Sequence, residues 1–142
     1  MKAIRYIASL LLLAAALIAP QAQAQVLRDA DYNAIGRING NGNVRTSDYH
    51  SLGSFENDGR VLNAAGNEVA RIKRMEIFAP DGTTRLGFIT SDGTVRDGES
   101  NVLGQVSLND GRVTDAEHNT LGFARGIRVD WIACYFFFNL FK

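Results

Sequence analysis

Four-residue stretches of one pattern (apolar, glycine, variable, apolar) recur along the chain. They are Ile35-Gly36-Arg37-Ile38, Leu52-Gly53-Ser54-Phe55, Val69-Ala70-Arg71-Ile72, Leu86-Gly87-Phe88-Ile89, Leu103-Gly104-Gln105-Val106 and Leu121-Gly122-Phe123-Ala124. The first five start 17 residues apart, and the last unit is one residue longer. Side chains alternate between the two faces of a strand, so read as strands these stretches put the glycine and the last apolar residue on one face. Four of the stretches are followed by a tight-turn signal, such as the NDG at Asn57 or the SDG at Ser91, and then by a second short apolar run. Asn-Gly and Asp-Gly turns suit the twist of tight hairpins. Looser breaks such as AAGNE and DAEHN then lead into the next unit. The third unit is degenerate, with Ala70 in place of glycine and Phe78 read at the position that valine holds elsewhere. Helix signals are absent before the C-terminal tail.

The two ends of the repeat array fit each other. LRDADYNAIG from Leu27 aligns without a gap on VTDAEHNTLG from Val113. The array therefore starts with the second half of a unit and stops after the first half of another. A unit split in this way lets the ends pair and close a ring, which removes exposed strand edges. An open β-solenoid, the rival topology, needs capping ends rather than matching halves. The expected fold is all-β: a closed, pseudo-symmetric barrel of about twelve short antiparallel strands.

Alternation places Gly36, Gly53, Gly87, Gly104 and Gly122, with Ala70 in the odd unit, on the face that also carries Ile38, Phe55, Ile72, Ile89, Val106 and Ala124. Glycine weakens a strand interior. Its repetition has two readings: a bulky group approaches this wall closely, or the glycines permit bulges at the barrel rim. The tail, residues 131–141, supplies a bulky group. Asn139 is its only residue that is neither aliphatic nor aromatic, apart from the small apolar thiol Cys134. As a helix it would be about 16 Å long at ~1.5 Å per residue, against a bilayer core of about 30 Å. It cannot span as a simple helix, and in water it would be a large adhesive patch. A twelve-stranded barrel is too wide to be filled by short side chains of its own. The expectation is a plug through the lumen, with Trp131, Tyr135, Phe136, Phe137, Phe138 and Phe141 against the glycine wall.

The first 24 residues are set apart from the fold. Lys2 and Arg5 precede an apolar stretch, which Pro20 and Ala22-Gln23-Ala24 follow. This is the three-part pattern of a secretory signal peptide, with cleavage expected before Gln25 and an uncleaved anchor as the rival. The expected organisation is residues 1–24 as signal peptide and 25–142 as one domain, in the periplasm or outside the cell. Cys134 is the only cysteine, so the exported chain has no internal disulfide. Removing Lys2 and Arg5 from the 15 basic side chains leaves 13 against 15 acidic, with no charge block. Nucleic acid is therefore a poor candidate partner.

The glycine-centred repeat with its terminal aromatic run resembles the β-flower proteins, shallow symmetric barrels of radiating hairpins similar in appearance to the Tubby C-terminal domain. The resemblance covers residues 26–141 and implies a barrel around a hydrophobic C-terminal helix. It also suggests a lipid or membrane link, since Tubby domains hold phosphoinositide headgroups through basic side chains. No such site is matched in this chain, and likeness of fold is a weak warrant for function.

Catalytic chemistry finds no foothold. The Asp and Asn residues of the turns lack the spacing of known calcium loops and suit tight turns without metal. Asp29, Asp97 and Asp115 recur at one position, with Asn63 in another unit, and so read as turn architecture. His50 and His118 lie in equivalent breaks, where Tyr32 matches His118 and the slot reads as one for a planar polar ring. No catalytic, metal or cofactor residue is assigned. The expected function is a non-enzymatic binding or structural module of the cell envelope that contacts lipid or another apolar partner. The alternative is a purely structural or protein-binding barrel whose tail is wholly internal.

Overall fold

The computed structural model describes residues 25–141, so the expected signal peptide lies outside the described residues. Twelve strands come first: β1 (Val26–Asp29), β2 (Ala34–Ile38), β3 (Asn43–Thr46), β4 (Ser51–Phe55), β5 (Arg60–Asn63), β6 (Glu68–Lys73), β7 (Glu76–Phe78), β8 (Arg85–Ile89), β9 (Thr94–Asp97), β10 (Val102–Val106), β11 (Arg112–Asp115) and β12 (Thr120–Phe123). One helix, α1 (Val129–Phe137), follows them. Each strand pairs antiparallel with its sequence neighbours, and β1 pairs with β12 to close the barrel. At that seam Arg28 faces Phe123 and Asp29 faces Gly122, so the sixth two-strand unit is assembled from both ends of the array.

Alternation builds the inner wall. Leu27, Val44, Val61, Ile77, Val95 and Val113 from one strand of each unit are fully buried, as are Ile38, Val106 and Ala124 from the other. The apolar residue before each inward glycine is the extra residue of a β-bulge. Val44 pairs with Gly53 and Arg45 with Ser51, which leaves Leu52 unmatched. Ile35, Val69, Leu86, Leu103 and Leu121 are skipped in the same way. Six bulges increase local twist and curvature, which lets strands of three to six residues close a ring. These bulge residues are half-buried and lie against the core.

The third unit departs from the sequence assignment. Ile77, not Phe78, holds the inward position of valine: it pairs with Ile72, and Phe78 pairs outward with Arg71. The cause is a turn one residue shorter than in the units on either side. Arg74 and Met75 make it with φ of 54° and 65° in place of the usual glycine.

Candidate functional site

After β12 the chain turns at Gly126, whose φ is 79°, and enters the barrel at the end that carries the tight turns. Ile127 is buried there, and among the described residues Asp130 is the one buried charged side chain. Arg128 grips Asp130 with two bonds, Nε to Oδ1 at 3.1 Å and Nη2 to Oδ2 at 2.6 Å. Asp130 also accepts from the Trp131 amide at 3.0 Å, which satisfies one free donor of the helix start. The Trp131 ring stacks on Phe55 with centroids 5.0 Å apart and planes 8° from parallel. The Arg128 guanidinium lies 4.8 Å from the indole centroid. Sequence reading missed this clamp. Its signal was an Arg-x-Asp step just ahead of the aromatic run.

Inside the barrel, Ile132, Ala133 and Cys134 are buried. Burial raises the Cys134 thiol well above its ordinary value, and the nearby Asp130 charge adds to the effect, so it stays a protonated, small apolar group. The plug differs in detail from the expected helix. It starts at Val129 and ends at Phe137, and Asn139 with φ 54° redirects Leu140 and Phe141.

The tail aromatics then fan out against the inward glycines, one ring to each. A β-carbon on Gly36 would lie 2.8 Å from the Tyr135 hydroxyl, and one on Gly122 2.8 Å from the Phe136 ring. The same atom on Gly104 would be 2.7 Å from Phe137, on Gly87 2.5 Å from Phe138, and on Gly53 3.0 Å from Phe141. Trp131 belongs to the opposite mouth, beside Phe55. Both readings of the glycines therefore describe the same residues: each sits at a bulge, and each faces an aromatic ring. The rings are only half-buried at this end, where Leu52, Tyr135, Asn139 and Phe141 line a hollow of about 180 Å³. A hollow of about 680 Å³ lies between Asp92, Gln105, Asp110, Arg112 and His118, away from the plug.

The recurrent carboxylates hold turns. Asp115 Oδ1 accepts from the amides of Glu117 and Asn119 at 2.9 and 2.8 Å. Asp29 and Asp97 repeat the arrangement, and in the unit of Asn63 an amide oxygen does the same. These turns share a left-handed position with φ near 70–85°, filled by Tyr32, Tyr49, Gly66, Gly82, Ser100 and His118. Hence the slot selects a backbone conformation, not a planar ring, and Tyr49 rather than His50 is the equivalent of His118. Among the described residues no group of three or more His, Cys, Asp or Glu side chains is placed to share a metal ion.

The turn carboxylates predict an acid response. The Asn119 amide holds Asp115 below its ordinary 3.8, the Asn101 amide does so for Asp97, and the Thr84 amide and hydroxyl take Asp81 to about 2. A folded-state value below the unfolded one gives stability that is complete above about pH 4 and lost as pH falls toward 2. Asp115→Asn keeps the acceptor, as Asn63 does, and is expected to flatten this dependence. Asp115→Ala is expected to lower the melting temperature at neutral pH as well. Melting curves between pH 2 and 7 check both.

The profile of the 5-fold beta-flower protein family matches residues 24–140. The chain belongs to this family. No curated protein and no solved structure matches it. The family description is five-fold, whereas this β-flower closes from six two-strand units, five with the inward glycine and the third with Ala70. A β-flower barrel of this kind is a structural or binding module.

Proposed function

We infer that the protein is exported and serves the cell envelope as a non-enzymatic module, with the tail as its own core. It meets lipid or another apolar partner through the barrel end where Tyr135, Phe136, Phe137, Phe138 and Phe141 converge. One observation carries this reading: these rings are half-buried while Ile132, Ala133 and Cys134 behind them are buried. Strands of three to six residues fall short of the about 9–11 that a membrane-crossing strand needs. No helix among the described residues is long and apolar enough to cross either. Contact with a membrane is thus at its surface.

A second reading keeps the tail wholly internal and leaves binding to proteins on other faces. It is favoured by the matching of one ring to one glycine, which gives each of the five aromatics at this end a seat of its own.

Cell fractionation and intact mass test the first part. The expected species is in the envelope or medium and begins at Gln25; cytosolic protein that retains Met1 rejects export. Flotation of the recovered protein with phosphatidylcholine vesicles tests the second part. Exported protein that ignores neutral vesicles rejects the apolar contact and leaves the internal-tail reading.

A further inference from the structure

Six units repeat one outward-facing cross-strand pair, which makes each unit a control for the others. The pairs are Arg37–Arg45, Ser54–Leu62, Arg71–Phe78, Phe88–Arg96, Gln105–Thr114 and, across the closing seam, Phe123–Arg28. Three set an arginine against a phenylalanine and two are uncharged. Only the first opposes two arginines. Directly opposed residues have β-carbons about 4.5–5.5 Å apart, and like charges there are destabilising.

The donors of this pair are unspent. Arg28 and Arg96 hold the position of Arg45 in their own units, and each donates to the carbonyl of its left-handed turn residue: Tyr32 at 3.0 Å and Ser100 at 2.8 Å. Arg45 makes no such bond to Tyr49. Among the described residues neither Arg37 nor Arg45 is in an ion pair, and Asp48, Asp29 and Asp31 in the adjoining turns pair with neither. The Arg37 guanidinium instead lies 4.8 Å from the centroid of Tyr49, a ring that is 61% exposed. Its Nε is buried without an acceptor. A buried donor left unmade is costly, and guanidinium forks match oxyanions with two parallel bonds.

We propose that Arg37 and Arg45 form an oxyanion-binding site on the outer wall, with Tyr49 as its side wall and a phosphate group as the ligand. The phosphate bridges the Nη donors of the two guanidinium groups and removes their repulsion. A dissolved phosphate and a phospholipid headgroup present the same chemistry.

The test follows the arginine Nε–Hε resonances of the isotope-labelled chain from Gln25 to Lys142, which holds every strand and the helix. One arm titrates sodium phosphate against sodium chloride at constant ionic strength. The other adds vesicles of phosphatidylcholine with or without phosphatidic acid. Expected are saturable shifts at Arg37 and Arg45, with Arg71 and Arg96 unmoved. A response to dissolved phosphate assigns the site to the free ion, and one confined to phosphatidic acid vesicles assigns it to a headgroup. Arg45→Gln is expected to abolish the response and, with repulsion relieved, to raise the ligand-free melting temperature by about 1–5 °C. Arg96→Gln, opposite Phe88, is expected to do neither. Equal shifts at all arginines, no shift in either arm, or a response that survives Arg45→Gln overturns the proposal.

Discussion

A chain that ends at Asp130 is expected to be unfolded or aggregated at room temperature, while the chain that runs to Lys142 melts cooperatively. The deletion removes Ile132, Ala133 and Cys134, all buried, and every aromatic ring that faces a glycine. It also strips the stacking partner from Phe55. Burial of a large apolar side chain contributes roughly 1.5–3 kcal/mol, and six or more such groups are lost. A small domain has only about 5–15 kcal/mol in all. The strands cannot compensate, because the inner wall built by Leu27, Val44, Val61, Ile77, Val95 and Val113 would then face water. Circular dichroism and thermal melts of the truncated chain decide the point. A soluble truncate with a cooperative transition would show that the barrel stands without its plug. Were vesicle attachment the only loss, the tail would be an anchor.

The repeat made most of the fold legible. The spacing of 17, the matching halves at Leu27 and Val113, and the alternation that turns glycine inward all follow from simple periodicities, which need no knowledge of contacts. What escaped has local causes. The turn at Arg74 and Met75 carries no glycine or asparagine, so nothing in the sequence marks it as shorter, and counting by the repeat puts Phe78 in the place of Ile77. The left-handed slot was read as a ring site because Tyr32 and His118 fill it; Gly66, Gly82 and Ser100 show that φ is what it selects. The two readings of the glycines look like rivals in the sequence because bulges depend on which neighbour a strand skips. That information lies in the pairing of two units, not in one. The pair Arg37–Arg45 was invisible for the same reason, since its partners are eight residues apart and become neighbours only across the hairpin.

The two roles of the glycines predict different outcomes, and a double substitution separates them. A β-carbon on Gly104 would collide with the Thr114 carbonyl as well as lie 2.7 Å from the Phe137 ring. A ring can tilt away, but a carbonyl bound into the next strand cannot move without disturbing the ladder. Gly104→Ala is therefore expected to cost about 1–3 kcal/mol, as overpacking typically does, with Gly104→Val at or beyond the top of that range. Gly36→Ala is expected to be milder. Its nearest neighbour is the terminal hydroxyl of Tyr135, at 2.8 Å, and the Arg45 carbonyl stands off at 3.0 Å. Ala64→Val, in an exposed turn, is the control, and equal denaturation midpoints for it and Gly104→Ala would remove both roles at once. Combining Gly104→Ala with Phe137→Leu then separates them. If the ring sets the requirement, the smaller side chain makes room and the pair costs less than the sum of the single changes. If the bulge backbone sets it, the costs add. Partial recovery is the expected result, because at Gly104 the ring and the neighbouring carbonyl both occupy the space that a β-carbon would need.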